Sequence, residues 1–327
     1  MALLKRNRHL KAEDNTGFGT NSTSTGGRFV NRDGRANVIK RGTNILDRYS
    51  WYHTMLGMKR GKFLLLLFII YISINLIFAG IYYLIGINHL AGVNAGSPWK
   101  NFTEVFFFSA QTFTTVGYGR ISPVGFMASA VSTFEAFLGL LSFAIATGLF
   151  YGRFSRPQAF IKFSDNALIA PFGDATAFMF RLVPYKNNNL SEVEVKLTMA
   201  VTNEENGKLT DKFYNLDLEI SKINGLALSW TIVHPIIDTS PFYGLSKQDI
   251  AGMDIEVMVF LKGFDEVFSN SVVTRTSYIS SEIVWGAKFK MMYHPSDDKV
   301  KTVLDIDKLN EFEEKPLPVP VSDSVSI

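Results

Sequence analysis

Cysteine is absent from all 327 residues. That excludes disulfides, zinc–thiolate sites and thiol nucleophiles, and it leaves the redox compartment open. Histidine is scarce. His9, His53, His89, His234 and His294 lie far apart, without metal-ligand spacing, so structural or surface roles are expected of them. The formal net charge is only +3, which gives no argument for a nucleic-acid partner. No phosphate-binding glycine loop, metal cluster or nucleophile motif occurs, so enzyme chemistry has little support. The start, Met1-Ala2-Leu3-Leu4-Lys5-Arg6, lacks the apolar core of a cleaved signal peptide. Charge is locally scarcest of all. Phe63 to Ile87 carries none, and the stretch from about Ile121 to Gly152 carries one, Glu135.

Each uncharged stretch is long enough to span a bilayer with some tilt. Lys59, Arg60 and Lys62 precede the first; Arg153, Arg156 and Lys162 follow the second. The loop between them holds fewer basic residues, chiefly Lys100 and Arg120. The positive-inside rule then predicts a multi-pass protein of the cell (inner) membrane with both chain ends in the cytoplasm. In the loop, Ser97-Pro98-Trp99 is a helix-start signal, and Phe102 to Phe113 is too short to cross, so a re-entrant helix is expected. Its C-terminal end would favour a cation.

That helix leads into Thr115-Val116-Gly117-Tyr118-Gly119. A potassium ion crosses a membrane only where something replaces its water shell. A ring of backbone carbonyls from this sequence is the known solution, and its glycines permit backbone geometries that a Cβ forbids. The loop therefore reads as a potassium filter, with K⁺ at the filter as the one metal ion and no cofactor.

The flanks are of different character. Residues 1–43 are rich in Gly, Asn, Ser, Thr and Arg and read as disordered. Residues 44–62 place Ile45, Leu46, Tyr49, Tyr52, Met55 and Leu56 at helical spacing, which suits an amphipathic interfacial helix. Residues 63–157 form the transmembrane domain. From 158 to 295 the period becomes two. Val193, Val195, Leu197, Met199 and Val201 alternate with polar residues, as do Tyr214, Leu216, Leu218 and Ile220, and Ile255, Val257, Val259 and Leu261. With turns such as Asn206-Gly207, this predicts an antiparallel β-sandwich. Residues 296–327 read as a loosely held, Pro-rich tail.

The chain resembles the inward-rectifier potassium channels, more closely their prokaryotic branch, over roughly residues 44–295. The resemblance rests on the filter, on Phe134-Glu135-Ala136-Phe137-Leu138-Gly139 and on Arg153-Phe154-Ser155-Arg156-Pro157. In the soluble part it rests on Phe163-Ser164-Asp165-Asn166-Ala167, Val233-His234-Pro235-Ile236, Ser240-Pro241-Phe242-Tyr243-Gly244 and Glu282-Ile283-Val284-Trp285-Gly286. It implies a membrane α plus all-β fold: two transmembrane helices with a re-entrant pore helix, then a cytoplasmic immunoglobulin-like β-sandwich, assembled as a homotetramer. The implied function is passive, potassium-selective conduction with gating coupled to the cytoplasmic domain.

Site roles follow from the residues and the resemblance together. Thr115, Val116, Gly117 and Tyr118 supply carbonyl rings, Gly119 ends the filter, and the Tyr118 ring is an outward wedge. Gln111 stands where animal relatives carry a glutamate that pairs with an arginine placed like Arg120. With Gln111 neutral, Arg120 answers to another acceptor or faces water. Glu135 is a candidate brace behind the filter, with direct ion contact as its alternative. Phe143 occupies the cavity position where strong rectifiers are acidic, so polyamine or Mg²⁺ block from the cavity is expected to be weak. Tyr151 is either an inner gate or an interfacial aromatic. Gly139 and Gly148 are hinges or packing glycines. Lys59, Arg60, Lys62, Arg153 and Arg156 form a basic collar that attracts anionic lipid headgroups or only sets topology. A membrane-anchored sensor with a vestigial pore and a non-selective cation pore are the remaining readings, and the intact filter speaks against both.

Overall fold

The computed structural model describes residues 17–18, 27–39, 41–42, 50–186, 189–205 and 208–318. Two compact units emerge. One is Arg41–Arg156; the other joins the chain on either side of it, up to Lys40 and from Pro157.

In the first unit, α1 (Trp51–Gly57) starts at Ser50, whose hydroxyl accepts from the His53 N–H at 3.4 Å. The predicted interfacial helix over 44–62 is thus described only from Ser50; Ile45, Leu46 and Tyr49 lie outside the described residues. Lys59 is already the N-cap of α2 (Arg60–Ile85), so the first span begins ahead of the uncharged run and takes in Arg60 and Lys62. Long basic side chains allow this, because their stems lie along apolar surface while the head stays in water. After α2 come β1 (Leu90–Ala91), α3 (Pro98–Phe113), β2 (Ser122–Pro123) and α4 (Phe126–Phe154). β1 and β2 pair antiparallel, Leu90 opposite Pro123.

At 1.5 Å per residue α2 and α4 are roughly 39 and 44 Å long, more than a hydrocarbon core of ~30 Å. Leu64, Phe68, Ile77 and Leu84 of α2 and Phe126, Phe134, Leu140 and Ile145 of α4 are exposed. Helices apolar even on their open faces suit hydrocarbon and not water. α3, with 16 residues, is too short to cross. Ser97 caps it, Pro98 fills its first turn, and its Val105 and Phe108 pack against Phe78, Ala79 and Tyr82 of α2.

The second unit holds β3 (Ile161–Phe163), β4 (Ala167–Phe172), β5 (Ala175–Pro184), β6 (Leu190–Glu205), β7 (Lys208–Leu216), β8 (Lys222–Leu226), β9 (Trp230–Pro235), α5 (Lys247–Gly252), β10 (Ile255–Asp265), β11 (Asn270–Ile279), β12 (Ile283–Trp285), β13 (Ala287–Phe289), β14 (Tyr293–Pro295), β15 (Thr302–Leu304) and β16 (Phe312–Glu314). One five-stranded sheet has the order β11-β10-β6-β7 with β8 also on β6; the other has β12-β4-β5-β3 with β9 also on β5. β12 lies parallel to β4, against the otherwise antiparallel pairing of both sheets. The core between the sheets holds Val193, Val195, Leu197, Met199 and Val201 of β6 and Ile255, Val257, Val259 and Leu261 of β10, facing Ile169, Phe178, Phe180 and Leu182. Side chains that alternate in the sequence point to alternate faces of a strand, which is why the apolar set is buried together.

Three expectations are corrected. Ile220 is 52% exposed, because β7 ends at Leu216 and the alternation beyond it no longer belongs to a strand. The stretch expected to be disordered includes residues 27–39, which fold back on the β-unit. There Val30 is buried with Ala200, Phe213 and Met258. A few apolar residues in a polar stretch suffice when a complementary sheet face is available. The tail from 296 is likewise folded through Leu317: β15 pairs β14, β16 pairs β13, and Leu309 is buried with Val183 and Met292. The Asn206-Gly207 turn lies outside the described residues; β6 and β7 on either side pair antiparallel, Glu205 opposite Lys208.

Candidate functional site

α3 ends at Phe113, and the chain then leaves helical geometry residue by residue. The Thr114 N–H still donates to the Ala110 carbonyl. The Thr115 N–H donates to Thr112 O at 3.0 Å, and the Val116 and Gly117 N–H groups both reach Gln111 O, at 3.0 and 3.4 Å. The amides of the loop are thereby directed back to the helix end. Among the described residues, no donor takes the carbonyls of Thr115 to Tyr118.

Backbone hand explains where those carbonyls can go. Thr115, Gly117 and Gly119 have φ of 57°, 52° and 81°. In ordinary extended chain successive carbonyls alternate sides. Inverting the hand at every second residue turns the intervening peptides over and brings successive oxygens to one side. Glycine adopts this hand freely, whereas a threonine there is strained. The α3 C-terminus adds a negative partial charge at the same end.

Behind the loop lies a buried polar network in an otherwise apolar interior. Glu135 of α4 has no exposed surface. Its Oε1 accepts from the Ser109 hydroxyl of α3 at 2.5 Å and its Oε2 from the Tyr82 hydroxyl of α2 at 2.6 Å. Ser109 also lies 3.1 Å from Asn75 Oδ1, and Asn75 Nδ2 donates to Tyr71 O. The carboxyl group thus ties together the three helices around the loop. Tyr82, Ser109 and Asn75 were not singled out from the sequence. The available signal was polar groups inside apolar spans, which must find partners.

Arg120 finds an acceptor. Its guanidinium reaches Glu104 of α3 at 2.5 Å, half in solvent, so the loop exit is tied to the same helix by a residue other than Gln111. Phe143 and Thr115 border one open groove of about 810 Å³ that also touches Phe113, Gly139, Leu140 and Ile145. Phe143, Tyr151 and Tyr118 are exposed by 73%, 74% and 78% in the single chain. Gly139 lies where a Cβ would sit 1.9 Å from the Phe113 carbonyl, so its absent side chain lets α4 approach the end of α3. Gly148 has nothing within 4 Å of that position.

The basic collar divides. Lys59, Arg60, Lys62 and Arg156 are exposed. Arg153 is instead committed to α1. Its Nη1 donates to Met55 O at 2.5 Å, its Nη2 to Met58 O at 2.7 Å, and its guanidinium lies 4.5 Å from the centre of the Phe63 ring. These carbonyls are the unpaired ones that every helix C-terminus leaves. A freely lipid-facing Arg153 is therefore not what the fold provides.

In the β-unit the quoted motifs form its joints. His234 Nδ1 lies 2.6 Å from the Asp217 carbonyl, which can only accept, so that nitrogen carries the proton. Nε2 then accepts from the Ser240 hydroxyl at 2.8 Å, and Ser240 Oγ accepts the Phe242 N–H. Burial lowers the His234 pKa, which outweighs the pull of the Asp217 carbonyl. Ser164 accepts the Arg181 N–H, and the Tyr278 hydroxyl donates to Ser164 O at 2.9 Å.

Comparison with known proteins agrees with this architecture. The profile of the inward rectifier potassium channel C-terminal domain matches residues 161–325, and an ion-channel profile matches residues 70–156. The inward rectifier potassium channel Kirbac3.1 of Paramagnetospirillum magnetotacticum is 32% identical over 290 residues, which cover 87% of this chain and 95% of that protein. The chain belongs to the inward rectifier potassium channel family. Two animal inward rectifiers are each 27% identical. Irk-1 of Caenorhabditis elegans is matched over 81% of this chain and 53% of its own length; the ATP-sensitive inward rectifier potassium channel 12 of Gallus gallus is matched over 84% and 69%. The family is one of ion channels, so this inward rectifier is a membrane protein and not an enzyme.

Proposed function

We propose that the chain conducts potassium passively across the cell membrane as a homotetramer, with both chain ends in the cytoplasm and the main-chain oxygens of Thr115, Val116, Gly117 and Tyr118 replacing the water around the ion. The observation that carries this reading is the alternating backbone hand at Thr115, Gly117 and Gly119, combined with amides directed away from the freed carbonyls. One copy presents a single column of oxygens, and a cation needs oxygens all round, so several copies must face one axis. Tyr118, with no ring or hydrogen-bond partner on its own chain among the described residues, braces the filter against a neighbouring copy. Glu135 holds α2, α3 and α4 together behind it.

Phe143 lines the cavity without charge, so rectification by cavity block with polyamines or Mg²⁺ is weak. Tyr151 narrows the inner mouth, and gating is coupled to the β-unit. Gly148 is the bending point of α4, while Gly139 serves close packing. Lys59, Arg60, Lys62 and Arg156 attract anionic headgroups, at about 1 kcal/mol per residue near the surface.

The test is flux from purified protein in liposomes with barium as blocker, together with reversal potentials under potassium and sodium gradients. Barium-sensitive flux that follows the potassium gradient is expected. Equal permeability to sodium would sink the reading.

A further inference from the structure

Thr147, in the C-terminal half of α4, serves neither the filter nor the polar network behind it. Leu140, Phe143 and Tyr151 of that half are all exposed on the single chain. At about 3.6 residues per turn they fall on one stripe of the helix. Thr147 lies on the same stripe, four residues after Phe143 and four before Tyr151, and it too is exposed. Between the two rings the stripe holds no other side chain. The neighbours of Thr147 on the helix surface, Ala144 and Gly148, are small, and a Cβ at Gly148 would meet nothing within 4 Å. The hydroxyl is therefore open to whatever fills the space beside α4.

Its hydrogen bond decides what it can take there. Thr147 Oγ1 donates to the Phe143 carbonyl, one turn back, at 2.9 Å. A hydroxyl has one hydrogen and two lone pairs. Here the hydrogen is spent on the helix backbone, as threonine in a helix can do, so an acceptor is what faces outward.

The surroundings give that acceptor a use. Phe143 and Tyr151 stand roughly 12 Å apart along the helix axis, and the side chains of Ala144 and Gly148 between them carry no polar atom. Apolar constrictions empty of water and thereby stop ions. An oxygen midway, roughly 6 Å along the axis from either ring, interrupts the apolar length. It also matches one kind of ion. Water around a cation turns its oxygens inward and its hydrogens outward. An oxygen whose own proton is committed elsewhere accepts those hydrogens, and it offers nothing to the outward oxygens of water around an anion.

On the reading of α4 as the lining of a conducting pore, we infer that Thr147 forms a hydration ring. Its oxygens, one from each copy, accept from the water shell of the passing cation between Phe143 and Tyr151 and keep that length of the passage wet. The rival account is that the hydroxyl only satisfies its own proton on the helix and faces lipid or another copy.

The experiment records single channels of the full chain in planar bilayers. The protein has no cysteine, so Thr147→Cys carries one thiol alone. A thiol reacts as its thiolate, which apolar surroundings disfavour. A positively charged, water-soluble thiosulfonate added from the cytoplasmic side thus reports whether position 147 meets the aqueous path. Thr147→Val keeps the branched shape and loses the oxygen; Thr147→Ser keeps the oxygen. Thr147→Ala, also without the oxygen, answers if the valine variant does not assemble. The reagent is expected to block Thr147→Cys progressively and to spare the wild type. Unitary conductance is expected to fall at least threefold in the valine variant and to stay near the wild-type value in the serine variant, with the reversal potential unchanged in both. A cysteine that the reagent leaves untouched in open channels overturns the ring. So does a valine variant that conducts like the wild type, and so does a serine variant that falls as low as valine, because shape then accounts for the loss. A wild type that passes no potassium brings down the conduction reading itself and the ring with it, whereas a conducting wild type with an unaltered valine variant removes the ring alone.

Discussion

At the scale of residues, three side chains carry distinct expectations. Glu135 satisfies two hydroxyls that have no water to turn to, and leaving a buried polar group unpaired costs about 1–3 kcal/mol. Glu135→Ala should lower the melting temperature of the assembled protein and broaden its cation selectivity, read as a reversal potential moved toward that of a non-selective pore. Glu135→Gln should be milder, because it keeps one acceptor. Arg153 caps α1 with both terminal nitrogens of its guanidinium fork. Arg153→Gln is expected to destabilise the docking of α1 by about 1.5–3 kcal/mol, seen as faster hydrogen exchange over residues 51–58. Arg153→Lys keeps the charge but loses the planar fork; full rescue by lysine would point to headgroup attraction in place of capping. His234 sets a pH dependence. Its pKa is lowered in the fold, so below about pH 6.5 the unfolded chain takes up a proton that the folded one resists. Stability should be flat above that range and fall as the pH drops through it. His234→Gln should flatten the melting temperature between pH 7 and 5, and an unchanged slope would remove His234 as its source.

Elements were legible in the sequence to the degree that their own periodicity decided them. The two spans could be read because charge is excluded from hydrocarbon, and α3 because Ser97 and Pro98 mark its start. The core faces of β6 and β10 could be read because period two has only two registers. Boundaries were less legible: Arg60 and Lys62 lie inside α2 although composition alone would begin the span at Phe63. The order of the hairpin at 27–39 and of the segment beyond 296 was missed because both are polar stretches with few apolar residues to mark them. Their apolar residues find their partners more than a hundred residues away, Val30 on Ala200 and Phe213 and Leu309 on Val183, although β15 itself pairs the nearby β14. The same holds for the site. The filter was visible as a contiguous motif, while the Tyr82–Glu135–Ser109 triad joins three helices and exists only once they pack. Gly139 shows the limit in another way. Its sequence context allowed a hinge or a contact, and the 1.9 Å approach to the Phe113 carbonyl favours contact. Gly139→Ala should push α4 from α3 at a cost of about 1–3 kcal/mol and impair potassium flux, whereas Gly148→Ala should leave the filter's selectivity intact.

For the molecule as a whole, the proposal demands assembly: native mass spectrometry of the detergent-solubilised protein should give four copies, and a monomer would leave the filter column incomplete. The β-unit is closed around its own core, but the sequence that builds it is interrupted by the membrane unit. That interruption has a bearing on biosynthesis. The hairpin at 27–39 leaves the ribosome early, while Glu256, whose carboxylate accepts the Val30 N–H, lies 226 residues after Val30. At ~5–20 residues per second the nascent hairpin waits on the order of 10–50 s, with both spans threaded into the bilayer in the meantime. Its arginines and its Phe29 must stay out of trouble through that interval, so a stretch poor in apolar residues, which looks from composition like idle leader, is what a late-docking segment has to be.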